Sequence, residues 1–209
     1  MTYSESPDVA LVITTLKVGG AERFVIRLAN ELCCAMRVEI WVLCGMEDRP
    51  LLAAIDERVH VRLNSKLRSH PGRIAWATRQ LRRVQPRVVQ SLLWESDFVC
   101  ATASRLTGYR QLFISERGDR WTTGTRQRLL DRMVVFPVAR GAIANSSAAE
   151  RTLVASGLRR GKIAVIHNGL PPIAPQRESC EVKEALDIPE DAKIVGMVSR
   201  MVWEKGWLQ

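Results

Sequence analysis

Short apolar runs alternate along the chain with stretches whose apolar residues recur every three or four positions. Val9 to Leu16 is a nearly continuous run rich in Val and Ile, the pattern of a strand buried on both faces. It meets Gly19-Gly20, and from Ala21 the apolar positions Phe24, Val25, Leu28, Ala29 and Leu32 return at helical spacing. Strand patterns follow at Arg37 to Cys44, Val59 to Leu63, Val88 to Leu93, Leu112 to Ser115, Ala142 to Asn145 and Ile163 to Ile166. Helix patterns separate them around residues 73–84, 97–106, 126–136 and 147–156. Such β-α alternation predicts an α/β fold with a doubly wound parallel sheet. Ligands of these sheets sit beyond the carboxyl ends of the strands, so the segments leaving each strand hold the candidate chemistry.

The texture changes after Asn168-Gly169, where Leu-Pro-Pro-Ile-Ala-Pro disfavours regular structure. One domain is therefore expected over residues 1–169, a linker over 170–180, and the start of a second, incomplete domain over 181–209. In that last part Val182 to Leu186 reads as a short helix and Ile194 to Ser199 as a strand. Ile194, Val195, Met197, Val198, Trp203 and Trp207 would lack partner strands, which predicts poor solubility or dimers through that end.

At 209 residues, 46% hydrophobic and 25% charged, the composition suits a folded globular protein and excludes a disordered or collagenous chain. No apolar run approaches the roughly 18 residues of a membrane span, and the polar, acidic N-terminus has no signal-peptide pattern, so the expected location is cytoplasmic. Cys33, Cys34, Cys44, Cys100 and Cys180 form no C-x-x-C and read as reduced core residues. His60, His70 and His167 lack metal-ligand spacing, so no metal is expected.

Charge changes the picture. There are 31 Lys and Arg against 22 Asp and Glu, a net charge of +9. Between Glu57 and Glu95 lie Arg58, Arg62, Lys66, Arg68, Arg73, Arg79, Arg82, Arg83 and Arg87 and no acid, which predicts that one surface carries the excess. Within this stretch Ile74, Ala77, Leu81 and Val84 share a helix face, Arg79, Arg82 and Arg83 fall opposite, and Trp76 stands near the border. Three readings stay open: a solvated face, an anionic membrane surface at the cytoplasmic side contacted through residues 58–87, or a nucleic-acid groove. No stacking pair or zinc-finger spacing supports the last, and no nucleic acid is expected.

Gly19-Gly20 at a strand-to-helix turn would let backbone N–H groups approach a phosphate, or is simply a tight turn. Glu95, Asp97 and Glu116 follow strand ends, where a carboxylate meets a substrate hydroxyl or caps the next helix, Asp97 above all. Arg200 and Lys205, followed by Gly206, suit a diphosphate: arginine binds its oxygens bidentately and lysine as a point charge.

Together, Gly19-Gly20-Ala21-Glu22-Arg23, Ser115-Glu116-Arg117, Ala144-Asn145-Ser146, Lys162 to Gly169, and Val198-Ser199-Arg200 leading to Glu204-Lys205-Gly206 resemble the family 4 retaining glycosyltransferases of the GT-B fold. The resemblance implies two Rossmann-like domains facing a cleft, the first binding the acceptor and the second most of a nucleotide-sugar donor, with no separate cofactor. It assigns Gly19, Gly20, Arg200 and Lys205 to the donor, and Asn145, Ser146, Asn168 and Gly169 to the cleft. Glu95, Asp97, Glu116 and Arg117 fall to a saccharide or lipid-linked acceptor, with Glu95 and Glu116 as catalytic candidates. Two departures stand out. Gln90 to Glu95 contains no histidine where family members often carry one, and Leu170-Pro171 replaces an acidic continuation. Family members are also about twice this length, with their paired glutamates in the second half, so this chain alone is expected to be inactive. The alternatives are a non-catalytic sugar- or membrane-binding module and a nucleotide- or nucleic-acid-binding protein of the same fold.

Overall fold

The computed structural model describes residues 6–45, 49–66, 69–117, 124–169 and 178–198. The chain divides into two compact units, residues 1–168 and 169–209. The first is built on a seven-stranded sheet with every strand parallel: β1 (Val9–Ile13), β2 (Val38–Val42), β3 (His60–Leu63), β4 (Val88–Leu92), β5 (Leu112–Glu116), β6 (Gly141–Ala144) and β7 (Ile163–Val165). The strands run in the order β3-β2-β1-β4-β5-β6-β7. β1 lies between β2 (Val9 opposite Val38) and β4 (Val9 opposite Val88), so the order reverses between β1 and β4.

The helices of this unit are α1 (Gly20–Leu32), α2 (Arg49–Ala53), α3 (His70–Val84), α4 (Trp94–Thr107), α5 (Thr125–Leu130), α6 (Phe136–Val138) and α7 (Ser147–Ala155). Successive strand residues point to opposite faces. Leu11 and Ile13 of β1 and Val38, Ile40 and Val42 of β2 join Val25, Ile26 and Ala29 of α1 in one apolar cluster. Ala10, Val12, Trp41 and Leu43 point the other way, into a second cluster with Trp76, Ala77 and Leu81 of α3 and Val99, Cys100, Ala101 and Ala103 of α4. Burial on both faces explains why the strands read as unbroken apolar runs. Trp76 is buried, not marginal: it meets Trp41 edge to face with ring centroids 6.2 Å apart, a geometry adding about 1 kcal/mol to the area buried.

Several boundaries differ from the sequence expectation. β1 stops at Ile13, and Thr14 and Thr15 already belong to the loop that carries the site. α4 begins at Trp94, three residues before the expected start at 97. The expected helix over 126–136 continues through a π-helical turn, Asp131–Val135, between α5 and α6. α2 is too short to show a period and was not expected from the pattern. Cys44 and Cys100 lie in the core, where burial pushes the Cys100 thiol pKa up, but Cys34 and Cys180 are exposed and Cys33 is half-buried.

The basic stretch does not form one continuous cationic surface. Arg58 pairs with Asp56, Arg62 with Glu39, Arg73 with Glu95 and Arg87 with Asp8. Arg62 forks onto the Glu39 carboxylate through Nε and Nη2 at 2.7 Å each, and Trp41 Nε1 donates to the same group at 2.7 Å. Burial pushes the Glu39 pKa up, but the Arg62 and Trp41 hydrogen bonds outweigh it and hold the carboxyl below its ordinary value.

In the second unit the described residues hold one helix, α8 (Ser179–Ala185), which starts inside the expected linker. Ile194 to Val198 is not a strand, and Val195 and Val198 are fully exposed. A strand exists only through ladder hydrogen bonds, and none of the described residues supplies a neighbour for this segment.

Candidate functional site

The reversal of strand order opens a crevice at the carboxyl ends of β1 and β4, because the chain leaves β1 for a helix on one face and β4 for a helix on the other. The two exits are tied together at its floor, where the Thr14 and Ser96 hydroxyls hydrogen-bond at 3.0 Å. On the β1 side, Gly19 is the N-cap of α1 with extended backbone and no side-chain cap, leaving first-turn N–H groups without a capping acceptor. A Cβ at Gly19 would run into the Glu22 carboxylate, which folds back over it from the first turn. A Cβ at Gly20 would meet nothing within 4 Å. Packing therefore gives Gly20 no reason to be glycine, while close approach by a ligand would.

On the β4 side, α4 starts from Leu93 at φ 71°, ψ 151°. That conformation is nearly confined to glycine and strains a leucine by about 1–3 kcal/mol. It turns the chain sharply so that Trp94 and Glu95 stand at the rim. Trp94 stacks on Phe98 (centroids 5.8 Å apart) and donates Nε1–H to the buried Asp131 carboxylate at 2.9 Å. Asp131 opens the π-helical turn, an irregularity frequent at functional sites. Glu95 is half-buried and its Oε1 is ion-paired with Arg73, with His70 Nε2 3.7 Å from the same oxygen. Arg73 reaches in turn to the Cys44 sulfur at 3.5 Å, so the ends of β2, α3 and α4 converge on this carboxylate.

Asp97 corrects the sequence expectation. It neither caps α4, whose N-cap is Leu93, nor stands in the crevice: it is fully buried and accepts a hydrogen bond from Ser91 Oγ at 2.5 Å. Its work is to brace β4 against α4. Glu116 is likewise covered, at 7% exposure, and is engaged by neighbouring groups. Of the three strand-end acids only Glu95 lies at the rim.

Further along the carboxyl edge, Arg117 follows β5 and joins four elements. Its guanidinium lies 3.0 Å from the ring centroid of Phe24 in α1, its Nη1 donates to Asn168 Oδ1 at 2.5 Å, and its carbonyl accepts from Asn145 Nδ2 at 3.4 Å. The Asn145 carbonyl meets His167 Nδ1 at 3.2 Å. Burial lowers the Arg117 pKa to about 10, still well above neutral pH, so the group remains a cation. Ser146, expected in the cleft, uses its hydroxyl as the N-cap of α7, accepting from the Ala149 N–H at 3.1 Å. Gly169 belongs to the second unit, and Arg200 and Lys205 lie outside the described residues.

This is the geometry of a doubly wound α/β sheet, and comparison with known proteins narrows it. The sequence model of Glycosyltransferase Family 4 matches residues 18–172. The chain belongs to that family. The fold agrees. HepE of Anabaena, crystallised with UDP and glucose, superposes with a TM-score of 0.66 at 17% identity, covering 86% of this chain and 50% of its own. Sucrose-phosphate synthase of Thermosynechococcus elongatus gives 0.60 at 12% identity, covering 88% of this chain and 53% of its own. The lipopolysaccharide outer core galactosyltransferase WaaB in its apo form gives 0.56 at 17% identity, covering 82% and 50%. No curated protein sequence matches the chain. The family 4 chain thus spans about half the length of these glycosyltransferases and shares their Rossmann-like sheet.

Four features of the site were missed in sequence: the Thr14–Ser96 bridge, Arg73 as the partner of Glu95, the Trp94–Asp131 contact, and His167 beside Asn145. Thr14 and Ser96 carried a usable signal, being polar residues next to the two strand ends where the order reverses. The partners of Glu95 and Trp94 carried none, since 22 and 37 residues of sequence separate them.

Proposed function

We propose that this chain is the acceptor-side half of a retaining glycosyltransferase that moves a sugar from a nucleotide-sugar donor to a saccharide or lipid-linked acceptor in cell-envelope polysaccharide or glycolipid synthesis, at the cytoplasmic side of the membrane. The observation that carries the reading is the glycine turn over the switch-point crevice, where Gly20 faces open space at an uncapped helix N-terminus. Family membership and the fold shared with HepE, itself crystallised with UDP-glucose, support a nucleotide sugar as the donor.

In this reading the α1 N-terminus and Gly20 lie along the donor diphosphate, and by family resemblance Arg200 and Lys205 are assigned to the donor as well. Glu95, held by Arg73 and His70, faces the acceptor hydroxyl from the opposite rim and accepts hydrogen bonds from it. Glu95 orients the acceptor, and the departing diphosphate takes the proton of the attacking hydroxyl. Arg117 and Asn168 close the third side, where the guanidinium orders the α1, β5 and β7 ends around the sugar. The residues given span about half the length of HepE and of sucrose-phosphate synthase, and by themselves they are expected to turn over little or nothing.

Saturation-transfer NMR with UDP-glucose tests the reading. A saturable UDP-glucose signal that weakens at least tenfold in Gly20→Val and persists in Glu95→Gln supports it. Binding that Gly20→Val leaves unchanged refutes the placement of the donor at this crevice.

A further inference from the structure

The basic stretch carries three readings from sequence, and ion pairing removes four of its nine cations from contention. Arg58, Arg62, Arg73 and Arg87 are held by carboxylates of their own unit. What stays exposed on α3 is Arg79, Arg82 and Arg83, within one turn of each other. These three do not stand on a bare charged face. With Pro71, Ile74, Ala75 and Thr78 of α3 and the 59% exposed Leu106 of α4, they line an open groove of about 730 Å³. Among the described residues no acid lines it, and the two acids of α4 are engaged elsewhere, Glu95 on Arg73 and Asp97 on Ser91.

An apolar floor beside three arginines without an ion pair among the described residues matches an amphiphile with an anionic head: phosphates meet the guanidiniums and hydrocarbon covers Ile74 and Leu106. A nucleic acid fits worse, because the groove offers no aromatic ring for a base to stack on. The groove also has a direction. Its Pro71 end lies between His70 and Arg73, the two residues that flank Glu95 at the crevice rim.

We infer that the α3–α4 groove is the surface on which this protein docks to an anionic lipid bilayer, with Arg79, Arg82 and Arg83 on the headgroup phosphates and Ile74 and Leu106 against the acyl region. Docking there sets the crevice beside the membrane plane, where a lipid-linked acceptor presents its hydroxyl. The use of the surface rests on the glycosyltransferase reading, whereas the binding itself does not.

The test is co-sedimentation of the full 209-residue chain with vesicles of phosphatidylcholine alone or with 30% phosphatidylglycerol. The probe composition is an experimental choice of about one anionic lipid in three, typical of an electrostatic partition assay. The chain is expected to bind the anionic vesicles and to leave the neutral ones in the supernatant. Each surface cation contributes about fivefold, so R79Q/R82Q/R83Q lowers the partition coefficient about a hundredfold. The charge-matched variant R140Q/R151Q/R159Q, exposed cations outside the groove, leaves most of the binding intact. L106S, which removes apolar surface and no charge, lowers it about fivefold.

Equal binding to both vesicle types, an equal loss in the charge-matched variant, or no response to L106S overturns the inference. So does binding of a single-stranded oligonucleotide, without vesicles, that R79Q/R82Q/R83Q abolishes, since that assigns the groove to nucleic acid. UDP-glucose binding in the R79Q/R82Q/R83Q variant is measured in parallel. Its persistence separates failure of the membrane surface from failure of the glycosyltransferase reading.

Discussion

Gly20→Ala sets fold against function at one atom. Gly20 is the first residue of α1, its backbone is helical, and a Cβ there would meet nothing within 4 Å. Replacing glycine by alanine at such a compatible position restricts the unfolded chain and stabilises the native state by about 0.4–1 kcal/mol. For a domain of this size that raises the melting temperature by about 1–4 °C. The same methyl projects about 1.5 Å into the space over the helix N-terminus, where a phosphate oxygen must come within about 3 Å of the first N–H groups. Displacing it weakens a charge-assisted hydrogen bond by about 1.5–3 kcal/mol, about ten- to a hundredfold in affinity. Thermal unfolding by circular dichroism and UDP-glucose titration at fixed ionic strength read the two effects separately. The expected result is a more stable protein that binds more weakly. A lower melting temperature would show that the fold itself needs this glycine, and unchanged affinity would show that no phosphate approaches here.

Further outcomes follow from the same structure. The Glu39 carboxyl titrates lower in the folded protein than in the unfolded chain, so its stabilising contribution is present above about pH 4.3, the unfolded value, and is lost as the pH falls through its folded pKa. Glu39→Gln should cost about 3 kcal/mol at pH 7 by stripping Arg62 of its partner, and should flatten the acid limb of a pH-stability profile; an unaltered limb would remove Glu39 from the account. Leu93→Gly relieves the left-handed strain at the start of α4, so the melt should stay within about 1 kcal/mol of wild type despite a lost leucine, whereas Leu93→Ala, which keeps the strain, should be the less stable variant. Asp97→Leu leaves Ser91 Oγ facing an apolar group in the core and should cost about 2–3 kcal/mol in urea unfolding; a neutral result would mean the pair contributes nothing to holding α4 on β4.

The strands were legible because both faces of the sheet are buried, which leaves Val9 to Ile13 and Val38 to Val42 apolar without alternation. α1 and α3 were legible from their spacing. What the pattern could not convey was which polar residues face inward. Asp97 looks like a cap in sequence because an acid just after a strand end usually is one. Only the early start of α4, forced by the turn at Leu93, carries it into the core. The basic stretch shows the same limit: composition counts charges, but Asp8, Asp56 and Glu39, which neutralise Arg87, Arg58 and Arg62, come from elsewhere in the chain. The strand pattern at Ile194 to Val198 is legible too, yet a strand needs a neighbour, and the described residues provide none. The glycine turn and Glu95 were picked as candidates from their places after strand ends, and the structure keeps both at the carboxyl edge. The groups that hold Glu95 and Arg117 became visible only once the sheet had brought distant segments together.

The reversal of strand order that opens the crevice also governs the order in which the chain can assemble. β1 and its neighbour β2 are joined by a single helix, so their pairing needs only a local closure. The pairing of β1 with β4 is remote: Asp8 and Arg87, which bridge the start of the two strands, stand 79 residues apart in sequence. Loop-closure entropy must be met before that contact returns anything, which places the middle of the sheet among the late events of folding. On a ribosome, the β3-β2-β1 half can form while the fourth strand is still being made, and until then the open edge of β1 is the strand most in need of protection from other chains.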